Sequence, residues 1–258
     1  MSSFYEPVGS DDDGAFRSTV HTTGPWDARS QHAGPPSALL GRAVERCAPR
    51  EELVVARVTV EVLGPVPVAE VAVRARVVRP GRSVELVEAV MSAGGRDVAR
   101  ASAWRVRRAE VDVPSRREPA PPLPDAPQEL SWEGAVDGYL SAVEWRLVRG
   151  SFGRPGPATA WTRLRHPLVP DEEPSPLQRV LAVADSGNGL SGELDLGTHL
   201  FINPELTVHL HREAVGEWVC LDAVTTVSPG GAGLATSVLH DVEGPVGVGA
   251  QSLLVAAR

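Results

Sequence analysis

Asp185 stands where the pattern of apolar residues predicts the buried face of a helix. Leu177, Val180, Leu181 and Ala184 precede it at the spacings that place side chains on one side of an α-helix. A carboxylate on such a face is costly unless it is hydrogen-bonded or does chemistry, and a general base that activates water is one such use. The alternative is an acid at the end of the helix that turns toward solvent.

Two amide side chains follow Asp185 in positions that could hold a water molecule or a substrate carbonyl. Asn203 precedes Pro204, which favours an extended backbone at Asn203 just before a predicted strand. Gln251 lies among the aliphatic residues of the segment 248–256. Asn203 alone is equally typical of a turn, and a glutamine in a strand is usually exposed, so neither amide identifies a site by itself.

The remaining candidate groups are weaker indications of chemistry. His209 and His211 alternate on one predicted strand face, but two imidazoles without a third ligand do not indicate a metal site. Neither the nucleophile turn of a serine hydrolase nor a phosphate-binding glycine loop is present. Arg82, Arg163 and Arg212 could contact phosphates, although solvated surface arginines are the more common alternative.

The elements that would position these residues occur as two copies of one unit. Residues 58–78 and 206–227 share a Thr-Val strand start, a turn and a second alternating strand, and an internal repeat of this kind governs the fold. Each copy has the pattern of a strand, a helix and four antiparallel strands with one buried face. Helices are predicted from Pro35 to before Pro49 and over 174–186, and strands over 16–21, 55–63, 69–78, 83–92, 96–107, 142–149, 158–166, 202–211, 216–227, 232–241 and 246–257.

A helix lying against a curved antiparallel sheet is typical of the hotdog architecture. Two such units predict an α+β double hotdog, with two antiparallel β-sheets that each wrap a central helix. We expect an N-terminal hotdog over residues 1–108, a Pro-rich linker over 109–131 and a C-terminal hotdog over 132–258. The second copy has an acid on its helix stripe and an amide on its last strand, whereas Glu45 of the first copy falls on the other side of its helix. The site is therefore predicted in the second half.

Composition and charge exclude several classes of protein. A net charge of −8 without a basic block argues against nucleic-acid binding. Cys47 and Cys220 are isolated and are expected to be reduced thiols. The first residues are acidic and lack the apolar core of a signal peptide, and no apolar run is long enough to span a bilayer. We expect a cytoplasmic protein with no membrane span.

The chain resembles the acyl-CoA thioesterase II type of the thioesterase-like superfamily, whose members are double hotdogs. The resemblance covers about residues 14–258 and is carried by five segments in the same order. These segments are WDARSQHAGPPSALLGRA at 26–43, PGRS at 80–83, LAVADSG at 181–187, FINPELTVHLHR at 201–212, and 241–255 with its ending AQSLLV.

The resemblance implies how the candidate residues would be used. In that family an Asp, a Thr, Ser or Asn, and a Gln from the second hotdog hold the water that hydrolyses the thioester. By matching motifs these are Asp185, Asn203 and Gln251, with an asparagine where the best-known members have threonine. Pro35 stands where the family often has a second glycine, and it removes one backbone donor from the helix entry.

The expected substrate-binding residues lie mainly in the first half of the chain. We expect His32 to line the pocket, backbone N–H groups near Gly34 or at a helix N-terminus to stabilise the oxyanion, and Arg82 to contact the phosphates of CoA. The implied substrate is an acyl-CoA or a related thioester. The implied reaction is hydrolysis without a covalent intermediate, a cofactor or a metal, by a protein that could form a homo-oligomer.

Two other functions remain open from the sequence. One is a protein of the same fold that binds an acyl chain or a small ligand without catalysis, which the Asn203 and Pro35 departures favour. The other is an enoyl-CoA hydratase or dehydratase. That chemistry requires an acid–histidine pair, and no histidine lies near Asp185 in the sequence.

Overall fold

The computed structural model describes residues 2–9, 14–114, 118–127, 137–195 and 197–258. Its helices are α1 (Gly34–Arg46), α2 (Tyr139–Ala142), α3 (Pro176–Ala184) and α4 (Gly187–Leu190). Its strands are β1 (Tyr5–Pro7), β2 (Ala15–Ser18), β3 (Leu53–Val62), β4 (Glu70–Arg79), β5 (Val84–Ala93), β6 (Arg96–Arg107), β7 (Val143–Arg149), β8 (Ala158–Leu164), β9 (His199–Ile202), β10 (Glu205–Leu210), β11 (Val219–Val227), β12 (Ala232–Asp241) and β13 (Gly244–Ala257).

The strands form one continuous antiparallel sheet that is built from two equivalent halves. Its order is β1-β2-β4-β5-β6-β3-β10-β13-β12-β11-β8-β7, with β9 paired to β13 beside this path. At the centre β3 pairs with β10, and Thr59 lies opposite Thr207. The edge strand of each half-sheet is thereby hydrogen-bonded to the other half, which removes two exposed edges. This arrangement confirms the predicted α+β double hotdog.

The two long helices pack against the sheet and against each other. α1 contacts β3, β4, β5 and β6, and α3 contacts β8, β10, β11 and β12. The two helices approach closely at Gly41, which has no side chain. A Cβ on Gly41 would lie 2.5 Å from Leu181 Cδ1. Ser175 caps α3 by accepting the Gln178 N–H, and Pro176 occupies its first turn. The end of each helix is thus held beside the start of the other.

Several local predictions differ from the structure in detail. Residues 16–21 were expected to form one strand, but β2 ends at Ser18 and the chain then makes a 3₁₀ turn over Val20–Thr22. The Thr19 side chain accepts the His21 N–H and begins this turn. A helical turn that the sequence did not predict, α2, stands immediately before β7, which begins one residue later than expected. Both turns depend on local hydrogen bonds, which the spacing of apolar residues cannot predict.

The Pro-rich segment lies partly outside the described residues, at 115–117 and 128–131. Its described part contacts the second half: Trp161 Nε1 donates to Pro121 O at 3.2 Å, and an Arg146 Nη atom donates to Pro124 O at 2.8 Å. The expected boundaries at 108 and 131 stay predictions. Cys47 and Cys220 are free thiols. None of the described helices combines the length and apolarity that a bilayer crossing requires.

Candidate active site

Asp185 is buried at the C-terminal end of α3, where 4% of its surface is exposed. One oxygen of its carboxylate, Oδ1, accepts hydrogen bonds from two amide side chains. Asn203 Nδ2 donates at 2.7 Å, and Gln251 Nε2 donates at 3.2 Å and also reaches the Asp185 backbone carbonyl at 3.0 Å. The structure thus joins the three residues that the sequence predicts as catalytic. The amides contact the carboxylate directly and thereby fix its orientation.

Gln251 also connects Asp185 to the start of α4. Its Oε1 accepts the Asn188 N–H at 3.1 Å, so both ends of the amide are used. Glycine at position 187 leaves room for this contact, because a Cβ there would lie 2.7 Å from Ser237 Oγ and 3.1 Å from Gln251 Oε1. The conformation of Gln251 is therefore set by hydrogen bonds and by steric fit.

His32 approaches the other oxygen of the carboxylate. His32 Nδ1 lies 3.4 Å from Asp185 Oδ2 and accepts the Gly34 N–H at 3.0 Å. Burial lowers the pKa of His32, and the nearby Asp185 charge raises it by less. The imidazole is therefore neutral near pH 7, and the Gly34 bond assigns its proton to Nε2. His32 thus takes the Gly34 N–H, and an oxyanion donor among the backbone N–H groups near Gly34 or at a helix N-terminus stays a prediction.

Tyr139 packs against the face of the His32 ring. The two rings stack at a centroid distance of 3.8 Å with an interplanar angle of 7°. The Tyr139 hydroxyl donates to Ala182 O at 2.9 Å and lies 2.9 Å from Ser186 Oγ, on either side of Asp185. Tyr139 thus links His32 to the end of α3. Sequence reasoning missed it, because its short helical turn follows the Pro-rich segment and shows no periodicity.

A cavity of about 750 Å³ opens beside this cluster. Its lining includes His32, Ser186 and Asn188 from the cluster. Other lining residues are mostly apolar or basic: Pro25, Trp26, Leu140, Phe152, Arg154, Pro155, Leu194, Phe201 and Arg258. Asp185, Asn203 and Gln251 are not among the described lining residues, so His32 is the part of the Asp185–His32 pair that faces the cavity.

The three arginines considered from the sequence do not line this cavity. Arg82 lies in the exposed turn between β4 and β5, next to Gly81, whose carbonyl accepts a 2.9 Å bond from Arg50. Arg50 follows the C-terminal end of α1, whereas His32 precedes its N-terminus, about 20 Å away by helix length. Arg163 and Arg212 pair with carboxylates, Glu144 and Asp241. The structure therefore does not bring Arg82 to the cluster, and sequence reasoning missed Arg154 and Arg258.

The first half also has a carboxylate near the end of its long helix, with different surroundings. Glu45 lies in the last turn of α1, beside the N-terminus of α3. It accepts hydrogen bonds from Ser175 Oγ at 2.7 Å and from Gln178 Nε2 at 2.9 Å, and burial raises its pKa. Its hydrogen-bond partners among the described residues are a serine and a glutamine, and none is a histidine. The two copies therefore differ in chemistry at matching helix ends.

The described residues contain no group of three or more His, Cys, Asp or Glu side chains placed to hold a metal ion. His209 and His211 belong to β10 and the turn after it. The arrangement around Asp185 is instead one of carboxylate, amide and imidazole groups, which can accept a proton and donate hydrogen bonds to a carbonyl.

Models of two domains match most of the chain. The acyl-CoA thioesterase N-terminal domain matches residues 22–106, and the acyl-CoA thioesterase C-terminal domain matches residues 114–255. No curated protein matches the chain.

Several solved structures share the fold over nearly the whole chain. A protein of unknown function with a hot dog fold from Alicyclobacillus acidocaldarius is 18% identical, with a TM-score of 0.72 and coverage of 97% of this chain and 99% of that one. A tesB protein from Mycobacterium avium subs paratuberculosis is 18% identical, with a TM-score of 0.70 and coverage of 98% and 95%. An acyl-CoA thioesterase II from Mycobacterium marinum is 16% identical, with a TM-score of 0.67 and coverage of 95% and 92%. At these identities the likeness shows the fold.

Proposed function

The chain belongs to the acyl-CoA thioesterase family, and on that premise we propose that it hydrolyses an acyl-CoA thioester with Asp185 as general base. The observation that carries the proposal is that the two oxygens of Asp185 make different contacts. Oδ1 accepts two amide N–H groups, and Oδ2 lies 3.4 Å from His32 Nδ1. A carboxylate held in this way keeps one oxygen fixed beside His32, which lines the cavity, and a fixed oxygen of this kind can act as a general base.

In the proposed reaction, water attacks the carbonyl carbon of the thioester and Asp185 Oδ2 takes its proton. The Nε2–H of neutral His32, on the opposite edge of the ring from Asp185, donates a hydrogen bond to the carbonyl oxygen as negative charge develops there. The tetrahedral intermediate then collapses. The C–S bond breaks, and the proton on Asp185 passes to the leaving thiolate, which gives a carboxylic acid and a thiol.

In this proposal Asn203 and Gln251 position Asp185 rather than the water. Each donates to the carboxylate from a rigid element, Asn203 from the turn before β10 and Gln251 from β13. The contact that Asn203 makes supports its use where other members have threonine, since a hydroxyl or an amide can donate the same kind of hydrogen bond.

The test is thiol release from a panel of acyl-CoA chain lengths, measured for the wild type, Asp185→Asn and Glu45→Gln. We expect Asp185→Asn to lower kcat by about 100-fold or more, the scale of general-base loss. Glu45→Gln is the matched control, because it makes the same kind of change in a hydrogen-bonded carboxylate near the end of the other long helix. It should keep its kcat, because Glu45 lies in the last turn of α1, at the opposite end of that helix from His32. Equal kcat for both variants on every active substrate would refute the role of Asp185.

One contact favours a second candidate, an enoyl-CoA hydratase. The chemistry requires an acid–histidine pair, and His32 and Asp185 form one. Hydration adds water across the C=C bond and releases no thiol, so the same panel distinguishes the two reactions. Loss of enoyl absorbance without thiol release would replace hydrolysis by hydration. Binding of a non-hydrolysable acyl-CoA with neither reaction would indicate a non-catalytic ligand-binding protein.

A further inference from the structure

The cavity beside Asp185 is basic at two exposed positions. Arg154 lies in the loop between β7 and β8, and Arg258 follows the last residue of β13. Both side chains line the cavity together with the aromatic residues Trp26, Phe152 and Phe201. The same space therefore joins an apolar wall, two guanidinium groups and, through His32, the Asp185 cluster.

Neither arginine is neutralised within the described part of the chain. Most other arginines there form ion pairs, whereas no carboxylate of the described residues lies within ion-pair distance of Arg154 or Arg258. The Arg258 guanidinium lies 5.7 Å from the centre of the Trp26 ring, a cation–π contact that leaves its N–H donors available. Asp195 also lines the cavity, but its Oδ1 accepts the Gly197 N–H at 2.6 Å.

Two unpaired guanidinium groups in a cavity select for a ligand with anionic oxygens. Guanidinium binds phosphate through two parallel hydrogen bonds, which makes arginine better suited than lysine to this ligand. Trp26 and Phe201 contact each other edge to face at 5.3 Å and present an apolar surface beside Arg258. A molecule that has a flexible neutral arm with phosphates at its far end would meet both surfaces.

We propose that Arg154 and Arg258 form a phosphate subsite that binds the phosphate groups of the CoA part of the substrate, with the thioester end directed to His32. This proposal rests on the proposed thioesterase function, because it takes the thioester as the reacting group. It also gives a role to two exposed guanidinium groups that line a cavity beside aromatic side chains. Recognition of the substrate is thereby divided between the phosphate subsite and the Asp185 cluster.

The first experiment compares two substrates that carry the same acyl group, one on CoA and one on N-acetylcysteamine, which has no phosphate. We expect Arg154→Gln and Arg258→Gln each to raise KM for acyl-CoA by about fivefold, since exposed ion pairs contribute modestly, with kcat unchanged. KM for the N-acetylcysteamine thioester should not change. Arg96→Gln is the control, because Arg96 is an exposed arginine at the start of β6, in the other half.

Salt gives an independent readout of the same subsite. Between 0.05 and 0.5 M NaCl, KM for acyl-CoA should rise in the wild type because screening weakens exposed charge pairs. The Arg154→Gln/Arg258→Gln double variant should lose most of this dependence. An equal rise in KM with salt for the acyl-CoA and for the N-acetylcysteamine thioester, or no rise for either, would refute the phosphate subsite. The proposed thioesterase function would not be affected.

Calorimetric binding of CoA itself separates the subsite from the reaction. CoA should bind the wild type and bind the double variant at least tenfold more weakly, whereas pantetheine should bind both equally. The same binding result, together with no thiol release from any acyl-CoA, would keep the subsite and refute the proposed activity. Failure of CoA to bind the wild type, or equal binding by both proteins, would refute the subsite.

Discussion

His32 Nδ1 lies 3.4 Å from Asp185 Oδ2, although the two residues belong to different halves of the chain. The contact exists because α1 and α3 lie side by side, so the loop before α1 meets the end of α3. The sequence predicts Asp185 as a catalytic acid and His32 as a pocket residue, but it does not predict that the two are in contact. The protonation of this pair should therefore control activity.

We expect His32 to be protonated only below pH 6.5, its ordinary value, because burial lowers its pKa more than Asp185 raises it. Protonation replaces the neutral donor with an imidazolium that pairs with Asp185 Oδ2 and prevents it from accepting a proton. kcat/KM should therefore fall as the pH drops below that range. NMR titration of the His32 ring in the wild type measures the midpoint directly, and a midpoint above 6.5 would contradict the prediction.

The same pKa shift has a consequence for stability. The unfolded chain binds a proton at His32 below about pH 6.5, whereas the folded protein binds it only at a lower pH. The free energy of unfolding should therefore fall as the pH decreases from 6.5 toward the folded pKa. His32→Gln should reduce this dependence in urea unfolding at pH 7.0 and 5.5. A steeper loss in the variant than in the wild type would contradict the sign.

Gln251→Glu tests whether Asp185 needs an amide donor. A glutamate has nearly the same shape, but its carboxylate cannot donate to Asp185 Oδ1, and it places a second negative charge 3.2 Å away. Like charges at this distance raise the pKa of at least one of the two acids. We expect kcat to fall by at least tenfold near neutral pH.

Two measurements distinguish this effect from general damage. The optimum of kcat for Gln251→Glu should move, because the coupled acids titrate as a pair. Ser252→Ala, at the neighbouring exposed position of β13, should keep both the optimum and the rate. Wild-type kcat in Gln251→Glu would show that donation from residue 251 is not required.

Gly34→Ala should damage the packing between α1 and α3. A Cβ at this position would lie 2.1 Å from Ala182 O and 3.1 Å from His32 Nδ1. The helices would have to separate, at a cost of about 1–3 kcal/mol in the free energy of unfolding, and His32 would move from Asp185. Urea unfolding and kcat should both report the change. Gly64→Ala is the control because nothing lies within 4 Å of its Cβ, so equal losses in both variants would contradict the steric explanation.

The sequence predicts the fold and half of the site for identifiable physical reasons. Strand alternation and the repeat predict the sheet, because each strand buries one face. Helical spacing places Asp185 on the buried stripe, and the difference between the copies identifies Gln251. His32 cannot be assigned to Asp185 in this way, since their contact depends on helix packing between the halves. Arg154 lies in a loop, where no periodicity relates a side chain to a cavity.

Tyr139 provides the last test, because its ring and its hydroxyl make separate contacts. Tyr139→Phe keeps the 3.8 Å stack on His32 and loses the hydrogen bond to Ala182 O. It should cost about 1 kcal/mol of stability and change kcat little. Tyr139→Leu also loses the stack, so His32 is no longer held in plane. kcat should then fall by about tenfold, and the pH dependence assigned to His32 should shift.

Comparing Tyr139→Phe with Tyr139→Leu shows whether Tyr139 positions His32 or only stabilises the fold. If Tyr139 only stabilises the fold, kcat of the folded fraction and the His32 titration should be unchanged in both variants, whatever the loss in unfolding free energy. If it positions His32, the leucine variant alone should alter the NMR midpoint of that ring. Burial keeps the Tyr139 pKa raised above its ordinary value, so the hydroxyl stays protonated throughout the assay range and does not itself titrate.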